Sequence, residues 1–157
     1  MSDSPEQPKT QRTMLIIDDQ ASVCVTLKYL LELAGYRTIL AESGQAALEV
    51  AEMERIDGAL IDVHMPVMNG FDTCLRLQAQ ARAGGRALRI WFMTGAFTRD
   101  LERRSSQIGA FGVFAKPFDH SVFFARLEEG FSSAVPSIPP SPAVGVTEVG
   151  SAVNQPP

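Results

Sequence analysis

The stretch "MLIIDDQ", Met14 to Gln20, runs four apolar residues straight into two aspartates, Asp18 and Asp19. Adjacent carboxylates repel and raise each other's proton affinity, so a fold keeps them at a strand end only where water, a cation or a basic side chain relieves the repulsion. A pair of exposed acids opening a helix, at the positive end of its dipole, would explain the same residues. The pair by itself leaves both readings open. Further along, other short apolar runs also end in polar groups: "GALID" in Asp62, "RIWFMTG" in Thr94 and Gly95, and "GVFAKPF" in Lys116 and Pro117. Three carboxylates want a hard cation. Oxygen donors with retained water suit magnesium better than zinc, for which the chain has no Cys or His set. A lysine nearby supplies a point charge for a phosphate oxygen, and a threonine hydroxyl supplies a hydrogen bond. A carboxylate facing such a cation and an ammonium can attack a phosphoryl group to form an aspartyl phosphate.

For these groups to meet, the apolar runs must lie side by side. From Met14 the chain alternates short apolar runs with helix-period segments, the pattern of βαβ units in a parallel sheet. Strands are expected at Met14 to Ile17, Arg37 to Leu40, Gly58 to Ile61, Leu88 to Met93 and Gly112 to Ala115, nearly all apolar, as strands covered on both faces must be. Helices are expected over about 21–34, with Val23, Leu27, Leu30, Leu31 and Ala34 on one stripe and Gly35 as the stop. Others follow over about 44–54 after the cap Ser43, over about 71–81, over about 99–108, and from Asp119 onward with Val122, Phe123, Leu127 and Phe131 inward. The Asn69–Gly70 pair reads as a turn leading back to the third helix. In an open parallel sheet, chemistry sits beyond the carboxyl ends of the strands, where Asp18, Asp19, Asp62, Thr94 and Lys116 all fall.

Bulk properties narrow the function classes. The chain has 157 residues, 45% hydrophobic and 20% charged, which suits one folded core. A net charge of -4 gives no electrostatic footprint for nucleic acid. Cys24 and Cys74 fall in expected helices without metal-ligand spacing and read as buried and reduced. The start "MSDSPEQPKTQR" has no apolar core of a secretory signal, and no run is long enough to cross a bilayer, so a cytoplasmic location without membrane contact is expected. Residues 1–12 read as a disordered N-terminus and 13–133 as the folded domain. Residues 134–157, rich in Pro and Ser, read as a disordered tail in which Pro136, Pro139 and Pro142 would permit polyproline recognition.

With these motifs quoted, "LIIDD", "ALIDVHMPVMNG", "WFMTGA" and "VFAKPF" in this order resemble the receiver domain of bacterial two-component response regulators over about residues 13–133. The resemblance implies a flavodoxin-like α/β fold: three layers around a doubly wound (βα)5 parallel sheet with strand order 2-1-3-4-5. It implies phosphorelay signalling by a stand-alone receiver, with Asp62 as phosphoacceptor for a sensor histidine kinase or histidine phosphotransfer protein. It further implies magnesium, with manganese able to substitute, held directly by Asp19, through water by Asp18, and by Asp62 and the backbone carbonyl of His64. Lys116 would pair with the phosphoryl group, Thr94 would bond to it, amides near Val63 and Gly95 would face its oxygens, and the Lys116–Pro117 bond would be cis. A downstream protein would read the surface from the fourth to the fifth helix, where Arg99, Arg103 and Arg104 otherwise form a solvated face. The family is not one of substrate-turnover enzymes.

One position departs from the pattern. Receivers carry Tyr or Phe three residues before the lysine, a ring that moves with the threonine; here that place is Val113, and Phe114 follows it. Strand side chains alternate, so the ring is expected on the opposite face. Two rival functions follow: a docking module insensitive to phosphorylation, or a small magnesium-dependent phosphatase, which the His64 two residues after Asp62 and the lack of a second domain argue against. His64 and His120 are expected to be exposed, and Trp91 and Phe92 to be core.

Overall fold

A computed structural model describes residues 11–135 of the chain. The strands are β1 (Thr13–Ile17), β2 (Arg37–Ala41), β3 (Gly58–Asp62), β4 (Arg89–Thr94) and β5 (Gly112–Ala115). They alternate with α1 (Ala21–Leu33), α2 (Gly44–Met53), α3 (Gly70–Ala83), α4 (Arg99–Gln107) and α5 (His120–Ser132). All strand pairs are parallel, in the order β2-β1-β3-β4-β5. The chain runs from β1 outward to β2 and returns past β1 to β3, so the crevice beyond β1 and β3 is the topological switch point of the sheet. The expectations for residues 1–10 and 136–157 lie outside the described residues.

Each strand sends alternate side chains into two separate cores. Leu15, Ile17, Ala59, Ile61, Ile90, Phe92 and Val113 pack against α2, α3 and α4 through Ala47, Cys74, Leu77 and Leu101. Met14, Ile16, Leu60, Trp91, Met93 and Phe114 pack against α1 and α5 through Cys24, Leu27, Leu31, Phe123, Leu127 and Phe131. Trp91 and Phe92 are therefore core residues of opposite layers, both essentially buried. Cys24 and Cys74 are free and buried, and burial pushes the Cys74 thiol up to about 12.

Several helix boundaries and faces differ from expectation for identifiable reasons. Asn69 does not close a turn: its side chain accepts the Asp72 amide at 2.9 Å and caps α3, which starts at Gly70. A Cβ on Gly70 would sit 2.4 Å from the Asp62 carbonyl oxygen, so only glycine lets α3 begin this close to the end of β3. In α1 the buried stripe is Cys24, Leu27 and Leu31, with Val23 and Leu30 at its edges, while Ala34 is the exposed C-cap residue. In α5, Val122 is exposed because it lies one residue, about 100° around the helix, from the buried Phe123; Gly130 completes the buried face instead. α4 buries Leu101 and Ser105, while Arg99, Arg103 and Arg104 are exposed, the Arg104 guanidinium lying 4.5 Å over the Phe71 ring. Among the described residues, no helix is long and apolar enough to cross a membrane.

Gly130 tests the packing of the α5 layer. In an exposed helix Gly→Ala stabilises by about 1 kcal/mol, but a Cβ here would lie 2.3 Å from the Trp91 ring, which is itself held between Phe111 and Phe131. The clash outweighs the helix gain, and Gly130→Ala should lower stability by about 1–3 kcal/mol. The urea midpoint measures this; a midpoint above wild type would show that the Trp91 layer yields freely.

Candidate functional site

Parallel pairing in register is what assembles the site. Ile17 pairs with Ile61, Asp62 with Met93 and Thr94 with Ala115, so the residues at or just beyond these positions share one rim. β3 and β4 extend one residue further than expected at this end, which makes Asp62 and Thr94 their last residues rather than loop residues.

Asp18 is fully buried, so it is not an exposed acid at a helix start; Asp19 is exposed. Both oxygens of Asp18 are engaged: Oδ1 accepts the Gln20 amide at 2.9 Å and Oδ2 accepts the Lys116 ammonium at 2.7 Å. Its backbone is tied as well, the N–H donating to the Ala41 carbonyl at 3.2 Å and the carbonyl accepting from the Cys24 thiol at 3.3 Å. Asp62 is almost buried, and its Oδ1 lies 3.8 Å from the Lys116 ammonium and accepts the His64 amide at 3.3 Å. Asp18, Asp19 and Asp62 each offer a carboxylate oxygen within 4.8 Å of the others. Burial first, then the Asp18 charge, push the Asp62 carboxyl above its ordinary value; Lys116 and the His64 amide oppose this without cancelling it. Thr94 is fully buried, its Oγ1 accepting the Ala96 amide at 3.0 Å. The Lys116 amide donates to the Thr94 carbonyl at 2.8 Å, and the Lys116–Pro117 bond is cis.

Of the residues expected at the site, Asp18, Asp19, Asp62 and Lys116 form one cluster, with Thr94 on the same rim. Near Val63 the amide that meets Asp62 is that of His64, while Val63's own amide donates to the Met93 carbonyl at 3.0 Å. Sequence reasoning missed the Gln20 amide that meets Asp18, because backbone groups carry no side-chain signature. The His64 side chain is exposed, as is His120. Val113 and Phe114 are buried on opposite faces of β5, Val113 with Leu101 and Phe92, Phe114 with Phe118 and Phe123. The aromatic ring therefore lies in the α1 and α5 layer, away from α4. Arg126 covers it, 4.9 Å over the ring, and donates to the Val113 carbonyl at 3.3 Å.

Residues 14–128 match the family model described as the response regulator receiver domain. The chain belongs to that family. It is 33% identical over 106 residues to sporulation initiation phosphotransferase F of Bacillus subtilis, a match covering 68% of this chain and 82% of that protein. It is 30% identical over 142 residues to the virulence sensor protein BvgS of Bordetella bronchiseptica, covering 88% of this chain but only 12% of that much longer protein. Among solved structures, the chemotaxis protein CheY4 of Vibrio cholerae is 28% identical, with a TM-score of 0.70 over 76% of this chain and 98% of that chain. The sheet order and the five helices match the CheY-like flavodoxin fold. Receiver domains serve two-component phosphorelay signalling, in which phosphorylation on an aspartate is typical, and they are not in general substrate-turnover enzymes. They bind magnesium at an acidic pocket, and the all-oxygen cluster of this receiver fits that ion.

The raised carboxyl makes a prediction with a definite sign. A group whose proton is held more tightly in the folded state contributes stability at low pH and loses it as pH rises from its ordinary value, near 3.8, through its raised one. At about pH 7, without divalent cations, charged Asp62 therefore costs stability that asparagine does not. Asp62→Asn should raise the melting midpoint by several degrees, each kcal/mol being worth about 4 °C in a domain of this size, and the gap should close toward pH 4. Calorimetry at both pH values checks it; equal midpoints at neutral pH would mean that Lys116 already offsets the burial and the Asp18 charge.

Proposed function

We propose that this receiver takes a phosphoryl group on Asp62 from the phosphohistidine of a sensor histidine kinase or a histidine phosphotransfer protein. The reading rests above all on one observation: a buried, charge-crowded Asp62 with a single ammonium, Lys116, shared between it and Asp18. Relatives named as a phosphotransferase and as sensor proteins support a partner of this kind.

A carboxylate oxygen of Asp62 attacks phosphorus; the new O–P bond forms as the N–P bond breaks, and its electron pair leaves with the donor's imidazole. Lys116 offsets the charge gathered by the transferring oxygens. Thr94 accepts from Ala96 and so keeps its own hydrogen free to donate to a phosphoryl oxygen. The His64 amide offers a further donor on the same side of Asp62. Magnesium, or manganese in its place, would be held by Asp19, Asp62 and the His64 carbonyl, with Asp18 acting through water, and would draw off negative charge from the transferring phosphoryl group. The engagement of both Asp18 oxygens by Gln20 and Lys116 supports that indirect part for Asp18.

Output would pass to a protein partner docking from α4 to α5, where Arg99, Arg103, Phe111 and Arg126 line a cleft of about 400 Å³. We place the receiver in the cytoplasm, with no nucleic-acid or membrane partner. A second reading, a docking module insensitive to phosphorylation, draws on the small side chain at Val113, which fills a core position and leaves no ring to swing with Thr94.

Intact-protein mass after incubation with acetyl phosphate and magnesium tests the chemistry. One added phosphoryl group is expected, absent from Asp62→Ala and from a magnesium-free control. No gain in a protein shown to be folded would leave the docking module as the better reading.

A further inference from the structure

Lys116, the group that follows β5 at the rim, is bracketed by rings: Phe114 stands two residues before it and Phe118 two after. Those two rings meet edge to face with their centroids 6.0 Å apart, and both rest on Phe123 of α5, at 4.7 Å and 5.4 Å. A displacement of the chain at Lys116 therefore bears on a packed cluster, and close-packed side chains move together because no void takes up the shift. Val113, in the core on the other face with Leu101, has no ring to move.

One side chain joins this cluster to the protein surface. The Arg126 guanidinium, on α5, lies 4.9 Å over the Phe114 ring, and its Nη1 donates to the Val113 carbonyl at 3.3 Å. A Cβ on Gly112 would come 2.5 Å from its Nη2, so the guanidinium spans three consecutive residues of β5 in space that the glycine leaves open. None of the ion pairs formed among the described residues includes Arg126. It is held by a ring face and one neutral carbonyl, contacts that are individually weak and depend on geometry. The same residue borders the cleft of about 400 Å³ between α4 and α5, with Arg99, Arg103 and Phe111, so where its guanidinium points sets the charge and shape of that cleft.

We propose that Arg126 is the latch through which a change at Lys116 reaches the surface between α4 and α5. With Asp62 unmodified it rests on Phe114; with Asp62 phosphorylated it leaves the ring for the cleft. The inference rests on the reading of Asp62 as phosphoacceptor and names how that site is coupled to its output. A phosphoryl group can favour the second position only through contacts that differ between the two. Lys116, now 2.7 Å from Asp18 and 3.8 Å from Asp62, supplies them: drawn toward the phosphoryl oxygens, it carries the chain between Phe114 and Phe118 with it and shifts the ring from under the guanidinium.

Spectra of the 15N-labelled full chain in excess acetyl phosphate and magnesium test this, with intact mass read on the same sample. Where the mass shows the phosphoryl group, the Arg126 Nε resonance and the amides of Gly112, Val113 and Phe114 should shift, and the Arg126 signal should move further than that of Arg104, the guanidinium over Phe71. Two variants separate a latch from a bystander. Arg126→Ala removes the guanidinium, and Gly112→Ala displaces it, since the added methyl meets only the flexible end of Arg126. Both should gain the phosphoryl group as the wild type does yet lose at least half of the shift at Arg99, Arg103 and Phe111, whereas Arg104→Ala should keep it. The spectrum of each variant before phosphorylation shows that it is folded. A phosphorylated wild type with Arg126 and β5 unmoved would overturn the proposal and favour the docking module insensitive to phosphorylation. Full cleft shifts in both variants would also overturn it. An unchanged wild-type mass would instead fell the reading of Asp62, and the latch with it.

Discussion

The crowding of negative charge around one ammonium governs the rest of this structure. Asp18 and Asp62 lie within reach of Lys116, Asp19 stands beside them, and no other side-chain cation pairs with Asp18 or Asp62 among the described residues. Lys116 sits closest to the fully buried Asp18, the carboxylate least able to be relieved by water, and leaves Asp62 only partly compensated. That inequality is chemically useful. An Asp62 fully paired with lysine would gain little from a further cation, whereas one raised in energy by burial and by Asp18 gains from any cation that lowers the local repulsion.

Holding such a cluster requires a scaffold that does not yield. Two cores, one on each face, grip every strand through alternating side chains, and the charged residues come where the strands stop. Asp18 is also anchored through its own backbone to Ala41 and Cys24, and α3 is brought against the end of β3 by the absence of a side chain at Gly70. The like charges are thus held at the strand ends, Asp62 within β3 and Asp18 and Lys116 just beyond β1 and β5, where their amides donate to the Ala41 and Thr94 carbonyls of neighbouring strands.

Much of this was legible in the sequence because two periodicities and four strand-end motifs point to the same arrangement. The five strands and five helices lie where the apolar runs and stripes put them, and the acidic cluster forms from the aspartates that end those runs. What escaped depended on neighbours distant in sequence or on backbone groups. Val122 reads as apolar and inward in isolation, yet the helix phase set by Phe123, Leu127 and Gly130 turns it outward. Arg104 is exposed as it reads, but its contact with Phe71 depends on α3 lying beside α4. The Val63 amide is claimed by β4, an obligation visible only once the strands are in register.

The displaced ring at Phe114 bears on how a change at the rim could travel. On the other face Val113 is small, buried against Leu101, and cannot sweep between an inward and an outward position as a ring can. Phe114 belongs to a stack with Phe118 and Phe123 and is roofed by Arg126. Lys116 stands between Phe114 and Phe118 in sequence, and its amide is bonded to the Thr94 carbonyl. A displacement of Lys116 toward a newly charged Asp62 would therefore pull on the aromatic stack beneath α5 and on the backbone of β4 together. A switch needs an element with two packings that the site biases differently, and at β5 the ring position that can couple to Lys116 lies in the α1 and α5 layer rather than beside α4.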